Sequence, residues 1–524
     1  MIDLILWIIW FVTCLPGLIW YELYILHMFQ QNSYKPGEYG EWLILSSNVG
    51  RLLGRSLYGL ISLPLIAFGG RGCLIAACLI NLLTAFVNKP HKAKKPLVYT
   101  ARVKRMIITT VLIVLLGCAI LCLVSRAFPK AAALWLLCLF VLCPFLVILV
   151  NAINHPIEAG INRHYVNDAA RILKEMPGLI IVGVTGSYGK TSVKYFLNKL
   201  LSVQYSVLQT PGNYNTTLGV VRTIREQMKS YHEIFICEMG ARQVGDIKEI
   251  CNLVHPDYGV ITSVGPQHLQ SFHTLENVIS TKFELADAVP EQGKIFLNYD
   301  NEWIRKKSIN KPVVSYGAVS EDVDFRAYDI SVSKEGSAFK MKDEKGREYE
   351  FHTKLVGTHN VQNIAGALAV AHTLGIPMEK LIYPVRQLES VPHRLQLLKQ
   401  GNRTILDDSY NSNKNGFKAA LDTLSMFEDL RILMTPGMVE LGERQYEENK
   451  EVGIYAHDKC DYAVLVGKEQ TKPIQEGLLK SGFPQNRMIV VDHLEEGFEM
   501  INAIPDEKPK VILIENDLPD QYTG

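Results

Sequence analysis

Thr185-Gly186-Ser187-Tyr188-Gly189-Lys190-Thr191 follows an apolar stretch at 179–184 and precedes an amphipathic stretch at 192–201. Strand, glycine-rich turn, Lys-Thr and helix form a phosphate-binding arrangement. The glycines let backbone N–H groups approach phosphate oxygens. The helix N-terminus adds partial positive charge, Lys190 a full one, and Thr191 an oxygen ligand for Mg²⁺. The longer pattern G-x-x-x-x-G-K-[ST] is missed at its first position, where Val184 stands, but the shorter G-x-x-G-K-T fits.

On the N-terminal side the composition changes character. The whole chain of 524 residues is 48% hydrophobic and 20% charged, with a net charge of +1, so nothing in its overall charge points to nucleic acid. Its mean hydropathy, +0.09, is high for a soluble enzyme, and the excess sits in residues 1–155. Residues 106–124 and 131–150 contain no charged side chain, and each is close to the ~20 residues a helix needs to cross a bilayer core. Residues 4–21 form a third such stretch, read as an anchor because they lack a basic leader and a small-residue cleavage site. A fourth span is expected within 72–87, while 57–68 is too short to assign by itself and reads as a re-entrant segment or part of a broken span. The 89–105 loop holds Lys89, Lys92, Lys94, Lys95, Arg102, Lys104 and Arg105 and no acid, against Arg126 and Lys130 in the 125–130 loop. Basic loops stay cytoplasmic, so the last span returns the chain to the cytoplasm. The basic loop needs no lipid-binding role to explain it. The ten cysteines include no C-x-x-C pair and read as small buried apolar residues in a reducing compartment.

From about 156 the pattern is that of an α/β protein with a parallel sheet covered on both faces. Apolar runs at 179–184, 233–237, 258–262 and 294–297 alternate with helical patterns. Residues 323–355 alternate and are charged, with turn signals at Lys334-Glu335-Gly336 and Glu344-Lys345-Gly346, which reads as inserted hairpins. A helix is expected over 360–374. A second strand series, at 404–406, 431–434, 463–466, 488–491 and 510–514, predicts a smaller α/β domain. The expected division is 1–155 (about four transmembrane spans), 156–390 and 391–524.

Four more segments carry dense polar chemistry. Glu238 ends the apolar strand 234–237 and would point into the crevice where open α/β sheets bind ligands, beside Thr191. A solvent-facing strand-end glutamate is the plain alternative. His268 follows the strand end Ile261-Thr262-Ser263, and Lys282 lies in the helix after it; each alone reads as structural or solvated. In Gly357-Thr358-His359-Asn360-Val361-Gln362-Asn363, the two asparagines share a helix face. Asn360 serves equally well as an N-cap, whereas Asn363 inside the helix suits a ligand contact. Leu406-Asp407-Asp408-Ser409-Tyr410-Asn411-Ser412-Asn413 follows a strand, with an Asx-rich turn as its bland reading.

In order and wording these five motifs resemble the Mur ligase superfamily, most closely its D-alanyl-D-alanine-adding branch, over about 156–442 and more weakly beyond. The resemblance implies a P-loop central ATPase domain and a C-terminal Rossmann-like domain that closes over the nucleotide. It implies that Gly186, Ser187, Gly189 and Lys190 hold the ATP phosphates, and that Thr191 and Glu238 ligate one Mg²⁺. His268 and Glu238 would serve a second ion, helped by Lys282 as a carbamate. Asn363 would face the adenine, while Arg394, Asp408 and Tyr410 would reach the nucleotide from the last domain. Catalysis would then rest on Lys190, Lys282, His268 and Glu238. The implied reaction activates a carboxylate as its acyl phosphate, and an amine then displaces phosphate.

The sequence departs from the family where substrates are chosen. The UDP-sugar-gripping domain that the family carries first is replaced by apolar spans, which favours an acceptor tethered to lipid. His393-Arg394 stands for the usual Gly-Arg, and Gly437 for a usual Asp. The Ile514-Glu515-Asn516-Asp517 tail stands for a Lys-Gly-Ser element. The expectation is therefore a plasma-membrane ligase with cytoplasmic catalytic domains. It would join an amino acid or short peptide to a carboxylate on a cell-envelope precursor of the cell wall. The alternatives are the ordinary peptidoglycan reaction on a UDP-muramoyl-tripeptide, a nucleotide-binding membrane regulator without ligase activity, and, less fitting, a transporter.

Overall fold

The computed structural model describes residues 2–44, 46–89, 96–124, 128–267, 269–410, 412–439, 441–505 and 508–517. They divide into two compact units that meet at residues 163 and 164.

The first unit is helical: α1 (Ile2–Gln31), α2 (Pro36–Ile44), α3 (Ser46–Phe68), α4 (Arg71–Asn88), α5 (Ala101–Val124) and the first part of α6 (Phe128–Lys174). Four of these helices, α1, α4, α5 and α6, are long and apolar enough to cross a membrane. α1 and α4 run side by side in the same direction. Asp3 pairs with Arg71, Asn81 donates to Thr13, and Gln30 bonds Val98, each pair 68 residues apart. Gly17 makes the approach possible, since a Cβ there would lie 3.2 Å from Thr84 and Ala85. Two parallel neighbours oblige the chain to return between them, and α3 does so. The stretch 57–68, read as a re-entrant segment or part of a broken span, is the second half of this continuous 23-residue helix. α3 thus joins the four helices that are long and apolar enough to cross a membrane as a fifth long helix of the bundle. Some of its inner polar groups are paired across helices: Arg105 grips Glu158 through two hydrogen bonds at 2.7 and 2.9 Å, and Asn154 donates to Thr109. Cys138 departs from the buried-cysteine expectation: it is exposed, on the outer face of α6. Residues 90–95 of the basic loop and Arg126 lie outside the described residues.

The second unit holds two sheets. The larger comprises β1 (Ile180–Thr185), β2 (Val207–Gln209), β3 (Ile234–Glu238), β4 (Tyr258–Ile261), β5 (Lys294–Asn298), β6 (Val313–Gly317), β7 (Phe325–Ser333), β8 (Gly336–Lys342) and β9 (Glu348–Thr353). Their order is β2-β3-β1-β4-β5-β6-β7-β8-β9. The strands are parallel up to β7; β8 and β9 are antiparallel. The hairpins expected at 323–355 therefore extend the sheet itself. Successive residues of β1 and β3 face opposite layers. Val182, Val184, Ile234 and Ile236 pack on the helices Lys190–Leu201 and Thr358–Thr373, while Ile181, Phe235 and Cys237 pack in the other layer with Leu285. Both faces are covered, which is why these strands read as unbroken apolar runs.

The smaller sheet contains β10 (Gln396–Gln400), β11 (Arg403–Asp408), β12 (Leu430–Thr435), β13 (Tyr462–Val466), β14 (Met488–Val491) and β15 (Lys510–Glu515), ordered β10-β11-β15-β12-β13-β14. Only β10 is antiparallel. The fold is mixed α/β in both sheet domains.

Candidate active site

β1 lies between β3 and β4 in the order of the sheet, so the turn after Thr185 opens at a topological switch point, where such sheets form a ligand crevice. The turn is braced from one side. Ser187 donates its N–H to the Ser263 carbonyl at 2.8 Å and its hydroxyl to the Gly265 carbonyl at 3.1 Å. Tyr188 donates its N–H to Ser263 Oγ and its hydroxyl to the Pro266 carbonyl. Gly189 sits at φ +80° as the helix N-cap. A Cβ there would lie 2.7 Å from Asn363 Oδ1, so Asn363 closes directly over the turn. α7 (Lys190–Leu201) starts without a side-chain cap, leaving its first N–H groups available to an anion. Lys190 Nζ arches back to the Gly186 and Ser187 carbonyls at 2.6 and 3.1 Å. Burial, with the Arg394 charge adding to it, lowers its pKa to about 8 against the pull of Glu238.

Glu238 is 1% exposed, which rules out the solvent-facing reading. Its Oε1 accepts from Thr191 Oγ1 at 3.1 Å and from Asn215 Nδ2 at 3.0 Å. Its Oε2 forms an ion pair with Lys194 Nζ at 2.9 Å. Burial alone would push this carboxyl up, but Lys194 and Lys190 outweigh it and hold the group below its usual range. A buried, ionised carboxylate beside a threonine hydroxyl is a hard-oxygen donor set, which fits Mg²⁺.

Lys282 is buried on the helix Leu275–Ala288. Burial, with the Lys190 charge adding to it, brings its pKa down to about 7, while Asp246 and Glu284 pull the other way. His268 lies outside the described residues. Asn360 is not an N-cap: the helix begins at Thr358 and Asn360 donates back to the Val356 carbonyl from within its first turn.

In the second sheet, the buried Asp407 forms the Asx-type turn by accepting from Ser409. Asp408 stands in register with Glu515 at the ends of β11 and β15. Burial raises Asp408 to about 6 against the Arg394 charge, and burial with the charge of Asp408 pushes Glu515 well up. Asp408 also accepts from the Leu395 N–H at 3.0 Å. The Arg394 guanidinium lies 4.2 Å from the centre of the Tyr410 ring, and Tyr410 is exposed. The Arg394 charge reaches Lys190 and lowers its pKa. Asn411 and Glu440 lie outside the described residues.

The structure thus gathers Gly186, Ser187, Gly189, Lys190, Thr191, Glu238 and Asn363 at one turn, with Lys282 and Arg394 within electrostatic reach of Lys190. Lys194 and Asn215 were missed. At i+4 from Lys190, Lys194 reads as an ordinary helix lysine, and Asn215 sits in a loop with no flanking periodicity.

Comparison with known proteins gives a family. The Mur ligase middle domain matches residues 184–371, and the Mur ligase glutamate ligase domain matches residues 393–514. The UDP-N-acetylmuramoyl-tripeptide–D-alanyl-D-alanine ligase of Bacillus subtilis is 31% identical over 350 residues, 66% of this chain and 74% of that protein. Its Escherichia coli counterpart is 30% identical over 306 residues, 57% and 67% of the two chains. Among solved structures, the MurF ligase of Thermotoga maritima in complex with ADP aligns with a TM-score of 0.61 at 26% identity, covering 68% of this chain and 80% of that one. The chain belongs to the Mur ligase family of ATP-dependent amide ligases.

Proposed function

We propose that this ligase is anchored in the plasma membrane and joins an amino acid or short peptide to a carboxylate of a lipid-tethered cell-envelope precursor. The observation that carries the chemistry is the contact of Glu238 Oε1 with Thr191 Oγ1, one residue beyond the phosphate-facing Lys190. In this reading the acceptor carboxylate attacks the γ-phosphorus of ATP and ADP leaves. The amine then attacks the acyl carbon of the resulting acyl phosphate, and phosphate leaves as the amide forms. Thr191 and Glu238 would hold Mg²⁺, with His268 and carbamylated Lys282 serving a second ion; the metal supplies charge neutralisation. Lys190 and the N–H groups opening α7 bind and orient the phosphates. A lysine near pKa 7 has enough neutral amine to take up CO₂, forming the N–C bond and releasing a proton. Asn363, Arg394, Asp408 and Tyr410 would enclose the base and ribose.

The apolar α1, α4, α5 and α6 support the anchor. With α3 counted as a crossing, the bundle has five traverses, an odd number. If the basic loop at 89–105 stays cytoplasmic, the catalytic domains are cytoplasmic and the N-terminus lies on the opposite face. The relatives' identity favours a second reading, transfer of D-alanyl-D-alanine to a UDP-muramoyl-tripeptide.

The test is phosphate release from ATP by full-length protein in detergent, with candidate acceptors and amines and mass-spectrometric identification of the product. Release dependent on both substrates is expected, and Lys190→Ala abolishes it. Robust turnover by Lys190→Ala refutes the assignment, and a UDP-linked product selects the second reading.

A further inference from the structure

Lys194 is a cation with no exposed surface, placed one helical turn beyond Lys190. A buried ammonium needs acceptors on several sides, and it has them. Its Nζ donates to the Gly212 carbonyl at 2.6 Å, pairs with Glu238 Oε2 at 2.9 Å, and lies 5.1 Å from the centre of the Tyr195 ring. The two oxygens of Glu238 are thereby divided. Lys194 takes Oε2, while Thr191 and Asn215 share Oε1. That division sets the rotation of the carboxylate. The same ammonium ties down the 210–216 segment, which is held to β3 at two further points. Gly240 donates its N–H to the Asn215 carbonyl at 2.7 Å, and the Glu238 N–H donates to Thr210 Oγ1 at 3.1 Å.

We propose that Lys194 is a positioning residue for phosphoryl transfer: it fixes the rotation of the Glu238 carboxylate so that Oε1 is presented beside Thr191, and it locks the 210–216 segment to the helix carrying Lys190 and Thr191. The proposal rests on the reading of Glu238 as a metal ligand. Its physical signature is a split. Without the Lys194 charge, Glu238 loses a compensating cation and repulsion of an incoming cation falls, so Mg²⁺ binds more tightly. The carboxylate is then free to rotate, so turnover falls.

The experiment compares full-length wild type, Lys194→Met and Lys194→Arg in detergent. Binding of a fluorescent ADP is titrated with Mg²⁺, and phosphate release is measured at saturating Mg²⁺. In Lys194→Met the half-saturating Mg²⁺ is expected to fall about threefold or more, and turnover to fall about tenfold or more, with KM for ATP changed less than about twofold. Lys194→Arg recovers both. Half-saturating Mg²⁺ that is unchanged or raised overturns the proposal, as does turnover near the wild-type value. Magnesium-independent ADP binding in the wild type would instead remove the metal assignment, and this proposal with it. Should Lys194→Met fail to fold, the double variant Lys194→Met/Glu238→Gln keeps the test open, because it removes both buried charges together. Its recovery to a folded protein is the expected result, and its failure to fold overturns the charge-pairing argument.

Discussion

The Lys282 amine offers the most direct thermodynamic test of the site. Burial and the Lys190 charge bring it from an ordinary 10.5 down to about 7. Between those values the unfolded chain binds the proton and the native protein does not. Stability therefore rises with pH through this window and is lower on the acid side of it. At ~1.4 kcal/mol per unit the full span is worth about 5 kcal/mol, of which about 2 kcal/mol falls between pH 7 and 9. Lys282→Met keeps the length and apolar stem of the side chain and removes the titrating group. The assay is the thermal midpoint of the full-length protein in detergent, in CO₂-free buffers at pH 7 and 9. With roughly 2–4 °C per kcal/mol for a domain of this size, the wild type should gain about 4–8 °C more than Lys282→Met over that interval. Lys190, lowered to about 8, contributes a similar slope to both proteins and cancels in the comparison. Parallel pH profiles for the two proteins would refute the reasoning.

Gly189→Ala forces a Cβ to 2.7 Å from Asn363 at a left-handed φ; a cost of about 1–2 kcal/mol should appear as a raised KM for ATP in phosphate-release kinetics. Asp408→Asn removes a carboxyl that burial raises from 3.8 to about 6. The loss of stability as pH rises through that range should shrink, read from thermal midpoints at pH 5 and 7. Phe296→Ala empties a fully buried position in the larger sheet and should cost about 3–5 kcal/mol in denaturant unfolding. A reporter active only outside the cell, fused before residue 2, should be active, because α3 supplies the return traverse between α1 and α4. Activity only with a cytoplasm-specific reporter would contradict five crossings.

Much of this architecture is legible in the sequence because burial on both faces leaves a plain trace. β1, β3, β4 and β5 appear as apolar runs ended by polar residues, and the candidate site residues Lys190 and Glu238 lie at or just after two of those ends. β2, β6 and β10 left weaker traces. β2 is three residues long, β6 follows Lys311-Pro312, and β10 is a polar antiparallel edge with two exposed residues. α3 was half seen because Arg51, Arg55, Gly50 and Gly54 dilute its first turns. Lys190, Thr191 and Glu238 follow from strand-end logic. Lys194 does not, since only the tertiary fold decides whether a lysine on an amphipathic helix is solvated or enclosed. The acid pair of Asp408 and Glu515 is likewise invisible, because the two residues are 107 positions apart in the chain and become neighbours through the order of strands β11 and β15.

The bracing of the turn after β1 by residues 263–266 has a mechanical corollary. Two of its side chains and two of its peptide groups are spoken for by the neighbouring loop, so the cradle is cast before any nucleotide arrives and does not mould itself to one. Substitutions at Ser263 or Gly265, which need never touch ATP, would deform that casting and weaken nucleotide affinity from behind.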